Sequence, residues 1–209
     1  MIVNLNGMDI PVEIIHKNNK NIYFRFKDDT LYVTCNKWVS DREVEKLIYK
    51  NEVSLSKMLG KVQRRTDNEK QFSYLGKPLV KVFDESIKNI VIEDDFIYAK
   101  NESYFNRWYK QECINIFEQR IAYLLSMFPD VPKFSLRIRN MKTRWGVNNV
   151  TKRIITLNSE LLKKDVRLID YVIVHELCHF YEANHSSRFW YQVGLRYPNY
   201  KWARKCLRG

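Results

Sequence analysis

The sequence predicts an α+β fold, with a β-rich region over residues 1–100 and a more helical region over residues 101–209. Short β-branched and aromatic runs separated by Asn, Lys and Asp fill the first region and are typical of strands. Apolar residues at helical spacing follow residue 101, and a mostly apolar helix is predicted after Asp165. The boundary between two domains is therefore predicted near residue 100.

The first region contains one predicted helix among its strands. Ser40 and Glu43 form a capping-box pair, so the helix should begin at Ser40 and run, whole or with a break, to about Gln63. The polar residues 64–71 are predicted to form a linker or loop. The predicted strands of this region are 10–15, 22–26, 31–34, 72–74, 79–83, 89–92 and 96–98, with turns at Asp28-Asp29, Gly76 and Asp94-Asp95.

The second region begins with a long predicted helix. Asn101 or Ser103 should cap it, and Pro129 should stop it at Phe128. Its broad apolar face predicts that it is buried on one side. Two strands are then predicted over 134–138 and 153–157, and no internal repeat or low-complexity segment is visible.

Asp165 should cap the next helix, over about residues 166–183. Residues 171–174 are apolar on all sides, which places this helix within the core. A further helix should follow Ser186-Ser187. The core helix matters most, because it carries two of the chain's four histidines.

Composition limits the class of protein. The chain has 209 residues with 45% apolar content, and no apolar run approaches the ~18 residues of a membrane span. Its four cysteines are widely scattered, which is typical of reduced thiols and argues against a zinc ribbon. No signal peptide is visible at the start, so the sequence predicts a cytoplasmic protein without a membrane partner.

The charge is strongly basic and uneven. The net charge is +12, and residues 133–209 hold 16 basic against 5 acidic side chains. Either an acidic partner such as DNA or an ordinary solvated surface explains this balance.

The segment His175-Glu176-Leu177-Cys178-His179 is a His-Glu-x-x-His pattern. Residues four apart lie on one face of a helix, so the imidazoles of His175 and His179 can meet at a single zinc ion. Glu176 lies beside the ion without binding it, where it can take a proton from zinc-bound water. Two histidines and a glutamate in an apolar helix would be costly without such a role.

A catalytic zinc usually has three protein ligands, and His185 is the favoured third. An unbroken helix would rotate His185 away from His179, so the helix must end first, and Asn184 in a left-handed conformation is the expected break. Glu182 is the weaker rival. Residues 186–209 contain no acidic residue, which excludes a glutamate ligand on a later helix.

Other polar residues allow structural or catalytic interpretations. Cys178 is expected to pack in the core, and His16 to be structural. Arg144 could stabilise an oxyanion or make an ordinary surface or phosphate contact. One of three tyrosines after the site could donate a hydrogen bond to a tetrahedral intermediate: Tyr191, Tyr197 or Tyr200.

Several segments resemble the YgjP-like metal-dependent hydrolases, bacterial and archaeal relatives of the SprT-type zinc proteases. The most specific block runs from Arg139 to Trp190. The resembling segments are 139–146, 154–158, 169–179, 184–186 and 188–190, with weaker likeness at 74–76, 107–109 and 198–200.

The resemblance implies a zincin-like C-terminal metallopeptidase domain, in which a small sheet packs on helices and the metal helix lies in the core. It implies zinc ligands at His175, His179 and His185, with Glu176 as the catalytic base. Val147-Asn148 departs from the Ser-Cys that the family commonly has after Trp-Gly, which affects the expected substrate preference.

The leading hypothesis is a zinc-dependent metallopeptidase acting on peptides or proteins, including proteins bound to DNA. A second hypothesis is a DNA-binding module with a structural zinc, held by the basic C-terminal half. A third is hydrolysis of non-peptide amides or esters, because the same site attacks any carbonyl.

Overall fold

The computed structural model describes residues 1–27 and 29–208, and it divides the chain into two compact units. The first is Met1–Lys70 and the second begins at Gln71. The division falls at Lys70 rather than near residue 100, because the strands over 71–99 pack on the helix that follows them. Phe72 and Phe105, for example, meet edge to face with ring centroids 5.1 Å apart.

The first unit is a four-stranded sheet followed by two helices. The strands lie in the order β1-β2-β4-β3, with β2 and β4 parallel in the centre. Alternate strand residues point into a core shared with the helices. The elements are β1 (Ile2–Leu5), β2 (Met8–His16), β3 (Tyr23–Lys27), β4 (Thr30–Cys35), α1 (Asp41–Lys50) and α2 (Glu52–Lys70).

The predicted start of the first helix is confirmed, since Ser40 and Glu43 form both hydrogen bonds of a capping box. The helical segment is broken at Asn51 into α1 and α2, so the region holds two helices rather than one. Residues 64–71 are not a loop, because α2 continues to Lys70 and a strand begins at Gln71. Asp28, half of a predicted turn, lies outside the described residues.

The second unit opens with a sheet of the same connectivity. Its order is β5-β6-β8-β7, again with a parallel central pair, β6 and β8. The strands are β5 (Gln71–Tyr74), β6 (Lys77–Phe83), β7 (Val91–Glu93) and β8 (Phe96–Ala99).

The two sheets repeat each other in detail. Their first hairpins turn at Asn6-Gly7, with φ of 51° and 81°, and at Leu75-Gly76, with φ of 49° and 88°. Two consecutive positive φ angles are typical of the tight turns that match strand twist. The buried Leu31 of β4 and Ile97 of β8 stand at equivalent register positions. The expectation of no internal repeat is therefore wrong at the level of topology.

The rest of the second unit is helical around a small second sheet, with order β10-β11-β9. β11 pairs in parallel with β9 and antiparallel with β10, which leaves β10 at an edge. The elements are α3 (Glu102–Leu125), β9 (Ser135–Arg139), β10 (Gly146–Asn149), β11 (Ile154–Asn158), a 3-10 helix (Ser159–Lys163), α4 (Val166–Cys178), α5 (Ser187–Arg196) and α6 (Tyr200–Arg208).

Helix α4 lies in the core, as predicted. Its N-cap is Asp165, and its residues from Leu168 to Cys178 are almost all buried. Arg120 of α3 forms a bidentate ion pair with Asp170 of α4, in which Nε and Nη2 donate to the two carboxylate oxygens at 2.7 and 2.8 Å. The predicted α+β class is confirmed. No helix among the described residues is both long and apolar enough to cross a membrane.

Candidate metal centre

His175 and His179 stand at the end of α4. The helix ends at Cys178, and His179 is its C-cap with φ −64° and ψ −18°, which keeps one turn of helical geometry between the two imidazoles. Their ring centroids are 5.0 Å apart. The helix is thus shorter than the predicted 166–183.

The chain reverses after this cap and brings back His185. Phe180 and Tyr181 donate backbone hydrogen bonds to Leu177 and Cys178, in the tight pattern of a last helical turn. Asn184 does not adopt a left-handed conformation. Its side chain instead accepts a hydrogen bond from the Ser186 amide, and Ser186 caps α5. The expected break therefore occurs earlier, and by a different turn.

The three imidazoles converge. One ring nitrogen of each of His175, His179 and His185 lies within 4.8 Å of the others, and the Nε2 atoms of His175 and His185 are 3.0 Å apart. Three nitrogens at zinc-ligand distance in a tetrahedral arrangement would be about 3.3 Å apart. The spacing therefore fits a small divalent cation. Among the described residues, neither Glu182 nor Cys178 belongs to this cluster.

Aromatic rings from α5 hold the imidazoles. The fully buried Phe189 stacks on His179 with centroids 4.6 Å apart and meets His175 edge to face at 4.9 Å. Trp190 stacks on His185, with centroids 5.6 Å apart. Imidazoles packed in this way lose little further freedom when they bind an ion.

The surroundings favour neutral imidazoles, the form that binds metals. Burial, then His179, His185 and Arg204, lower the pKa of His175 to about 3. Burial also lowers the pKa of His179 and of His185. His179 Nδ1 lies 3.1 Å from the Glu182 carbonyl oxygen, which accepts its hydrogen and leaves Nε2 for a ligand bond.

Glu176 is buried beside the cluster, with 4% of its surface exposed. Burial raises the pKa of its carboxyl to about 8, while a hydrogen bond from the Asn148 backbone and the charge of Arg144 oppose the rise. The Asn148 side chain donates to the Glu176 carbonyl at 2.7 Å. Strand β10 therefore touches α4 directly at this residue.

Gly146 of β10 makes this close approach possible. A Cβ atom at this position would lie 2.5 Å from Glu176 Oε1 and 2.7 Å from its Cγ. Any larger residue would push the carboxylate or the strand out of place. Gly146 lies in the segment 139–146 that resembles the YgjP-like family, and the residue pattern alone predicted no role for it.

Asn158 is a second residue whose role was missed. It is 3% exposed, and its amide donates to the carbonyls of Met141 and Arg144 at 2.7 and 2.8 Å. Its Oδ1 accepts from the amides of Met141 and Glu160 at 3.2 and 3.1 Å. One buried side chain thus holds the loop that carries Arg144 against the end of β11.

We expect Asn158→Ala to lower the free energy of unfolding by about 2–4 kcal/mol, because it leaves several buried backbone groups without a hydrogen-bond partner. Urea unfolding measures the change. Asn149→Ala is the matched control, because Asn149 is exposed and accepts only a local hydrogen bond from Lys152. Equal losses in the two variants would contradict the role given to Asn158.

A cavity of about 610 Å³ opens over the imidazoles and Glu176. Arg144, from the loop before β10, is among its lining residues. Tyr191, Tyr197 and Tyr200 are not among its lining residues, whereas Tyr171 is. The hydroxyl of Tyr197 instead donates to the Arg167 carbonyl, at 2.8 Å.

Comparison with known proteins shows that most of the chain matches one protein family. A family model described as "YgjP-like, metallopeptidase domain" matches residues 20–209. No curated protein matches the chain.

Two solved structures show a partial likeness. The metallopeptidase zymogen abylysin of Pyrococcus abyssi is 25% identical with a TM-score of 0.35, over 37% of this chain and 76% of that chain. The zymogen jannalysin of Methanocaldococcus jannaschii is 22% identical with a TM-score of 0.35, over 38% and 79%. TM-scores this low do not establish a shared fold.

Proposed function

The chain belongs to the YgjP-like family of metallopeptidase domains, and from this premise we propose that it is a zinc-dependent peptidase with a zincin-like catalytic unit. Membership implies a divalent metal and peptide or protein substrates. The proposal assigns the metal to His175, His179 and His185. Glu176 is proposed as the general base.

The convergence of three neutral imidazoles beside a buried carboxylate carries this proposal. Nitrogen donors at this spacing suit zinc, whereas magnesium and calcium prefer oxygen. A structural zinc normally has four protein ligands, and the described cluster supplies three. Bound there, zinc would lower the pKa of a water molecule and polarise the carbonyl of the substrate.

The protein's own groups then move one proton. Glu176 accepts it from the attacking water as the new C–O bond forms, and delivers it to the amine nitrogen as the C–N bond breaks. Burial raises the pKa of this carboxyl to about 8, and the charge of a bound cation would lower it again, which leaves the carboxylate form to accept the proton. Arg144 lines the same cavity and is available to stabilise negative charge on the carbonyl oxygen.

Strand β10 supports binding of an extended peptide. It lies at the edge of its sheet, and three of its residues line the cavity: Gly146, Val147 and Asn148. An unpaired edge offers backbone donors and acceptors to an added strand. A peptide bound there would pass close to Glu176, because Gly146 touches its carboxylate.

The test is a cleavage screen with peptides from a whole proteome, read by mass spectrometry. We expect cleavage by the zinc-loaded chain, loss of cleavage after treatment with a chelator, and recovery when zinc is added back. Ester and non-peptide amide substrates run in parallel. Cleavage of these alone would favour the third hypothesis, and no hydrolysis at any metal loading would contradict the proposal.

A DNA-binding module with a structural zinc remains the alternative. The basic C-terminal half motivates it, and the comparisons do not support it. A chain that binds DNA with a steep salt dependence and cleaves no peptide would favour it.

We expect Gly146→Ala to lower peptide hydrolysis by about 10²-fold, because displacing a catalytic group by about 1 Å costs this much. The number of zinc ions per chain should not change. Gly60→Ala is the control, because a Cβ at Gly60 meets no atom within 4 Å. Full activity of Gly146→Ala would contradict the close packing of β10 on Glu176.

A further inference from the structure

The cavity over the imidazoles is strongly basic. Three arginines line it, Arg144, Arg204 and Arg208, while Glu176 is the single acidic side chain among its described lining residues. Glu176 is buried and already assigned to proton transfer. The positive charge of the cavity wall is therefore not balanced from within the cavity.

Three other arginines of the same unit are paired with acidic side chains. Arg120, Arg167 and Arg188 pair with Asp170, Asp165 and Glu182. Among the described residues, Arg144, Arg204 and Arg208 form no ion pair. Their guanidinium groups keep their donors for an incoming group.

Contacts fix where these arginines stand. Arg204 lies over the face of Trp190 at 4.6 Å, on the same ring that stacks against His185. Arg204, His175 and His185 all line the same cavity. One cationic group is therefore held beside the proposed metal ligands.

The other two arginines are brought to one rim by a hydrogen bond. The Trp145 indole Nε1 donates to the Leu207 carbonyl at 2.9 Å and so joins the end of α6 to the loop before β10. Arg144 and Arg208 are the chain neighbours of this bonded pair. A ligand in the cavity would thus meet guanidinium groups both from α6 and from the loop before β10.

We propose that the site selects substrates that carry a carboxylate close to the scissile bond. The carboxylate belongs to an Asp or Glu side chain or to the C-terminus of the peptide, since an arginine guanidinium makes the same bidentate hydrogen bonds to either. This inference rests on the proposed peptidase function and narrows its substrates. It also accounts for the charge of Arg204 and Arg208, which the hydrolytic chemistry does not use.

The location of the arginines favours a peptide over DNA. They line the same cavity as the imidazoles, whose volume of about 610 Å³ is that of a pocket for a few residues. A duplex is a stiff rod about 20 Å across that needs an extended basic face. DNA is accordingly an outcome of the test rather than the proposal.

The experiment uses the full chain with Glu176→Gln, so that bound peptides are not consumed. Fluorescence anisotropy compares labelled peptides that differ only by Asp or Glu against Asn or Gln, and by a free against an amidated C-terminus. We expect at least about tenfold tighter binding of one carboxylate form, the value of one charge-assisted contact. The pair of peptides that shows the difference identifies the source of the carboxylate.

Adding Arg204→Gln or Arg208→Gln should reduce this preference by about tenfold. Lys201→Gln is the matched control, because it removes one charge from an exposed position of α6 outside the cavity. The measured quantity is the ratio of two affinities in one variant. A general loss of folding does not imitate a change in this ratio.

Equal affinities for the carboxylate and amide peptides would overturn the inference. So would a preference that survives both arginine substitutions, or arginine-dependent binding of a DNA duplex without binding of the peptides. Cleavage by the wild-type chain separates the two proposals. Acidic peptides that bind but are never cut would contradict the peptidase function alone, and cutting without acidic preference would contradict the selectivity alone.

Discussion

Glu176→Gln is expected to abolish peptide hydrolysis while leaving one zinc ion bound per chain. The amide has nearly the shape of the carboxylate, so it fits the buried space beside Gly146. It cannot accept the proton of the attacking water, and loss of a general base costs about 10²–10⁴-fold in rate. Initial rates on a cleaved peptide and elemental analysis of the purified variant measure the two effects.

Glu182→Gln is the natural control for this variant. Glu182 is on the same segment but pairs with Arg188 at 3.3 Å, outside the cluster of imidazoles. Its substitution should leave the rate within a few-fold. If Glu176→Gln instead lost the zinc, Glu176 would be a ligand rather than the base, and the proposed division of roles would be wrong.

His185→Ala should weaken zinc binding by more than about 100-fold. Mutating a residue that only hydrogen-bonds to a metal ligand already lowers metal affinity by about 10–100-fold, and loss of a ligand should cost more. Its exposed imidazole contributes little to the core, so folding should persist. Glu182→Ala should have a small effect. It removes the carboxylate but retains the backbone carbonyl that accepts the hydrogen bond of His179.

Competition with a chelating dye gives both affinities. Circular dichroism on the same samples checks that each variant is folded. Similar losses of zinc affinity in the two variants would contradict His185 as the third ligand and restore Glu182 as a candidate.

Local signals in the sequence predicted most of the secondary structure. The N-caps Ser40 and Asp165 stand where predicted, and Asn101 is the cap of α3 from the two candidates Asn101 and Ser103, because a cap depends on residues only two or three positions away. Strand β10 was missed, since Gly-Val-Asn-Asn has little strand propensity and is held by pairing with β11. The repeated sheet was missed because register and connectivity survive where side chains differ.

The candidate site was also predicted only in part. The four-residue spacing of His175 and His179 predicted their common face, and the structure brings His185 to them. The turn that does so was mispredicted, because α4 ends at Cys178 through tight backbone bonds and not through a left-handed Asn184.

Gly146, Asn158 and Arg204 gained their roles only from tertiary contacts. The residues that they contact belong to other elements, so the spacing of residues along the chain does not predict these contacts. A glycine within a strand signals close approach of another group, but this signal could not be used for Gly146 because β10 itself was not predicted.

All three imidazoles come from the short stretch 175–185. Closing so small a loop costs little chain entropy, so an ion bound there would gather its ligands without restraining distant parts of the sequence. Its stabilising effect would then concentrate on the junction of α4 and α5. Amide exchange in the presence and absence of the ion should differ most at this junction and little in the sheet of β1 to β4.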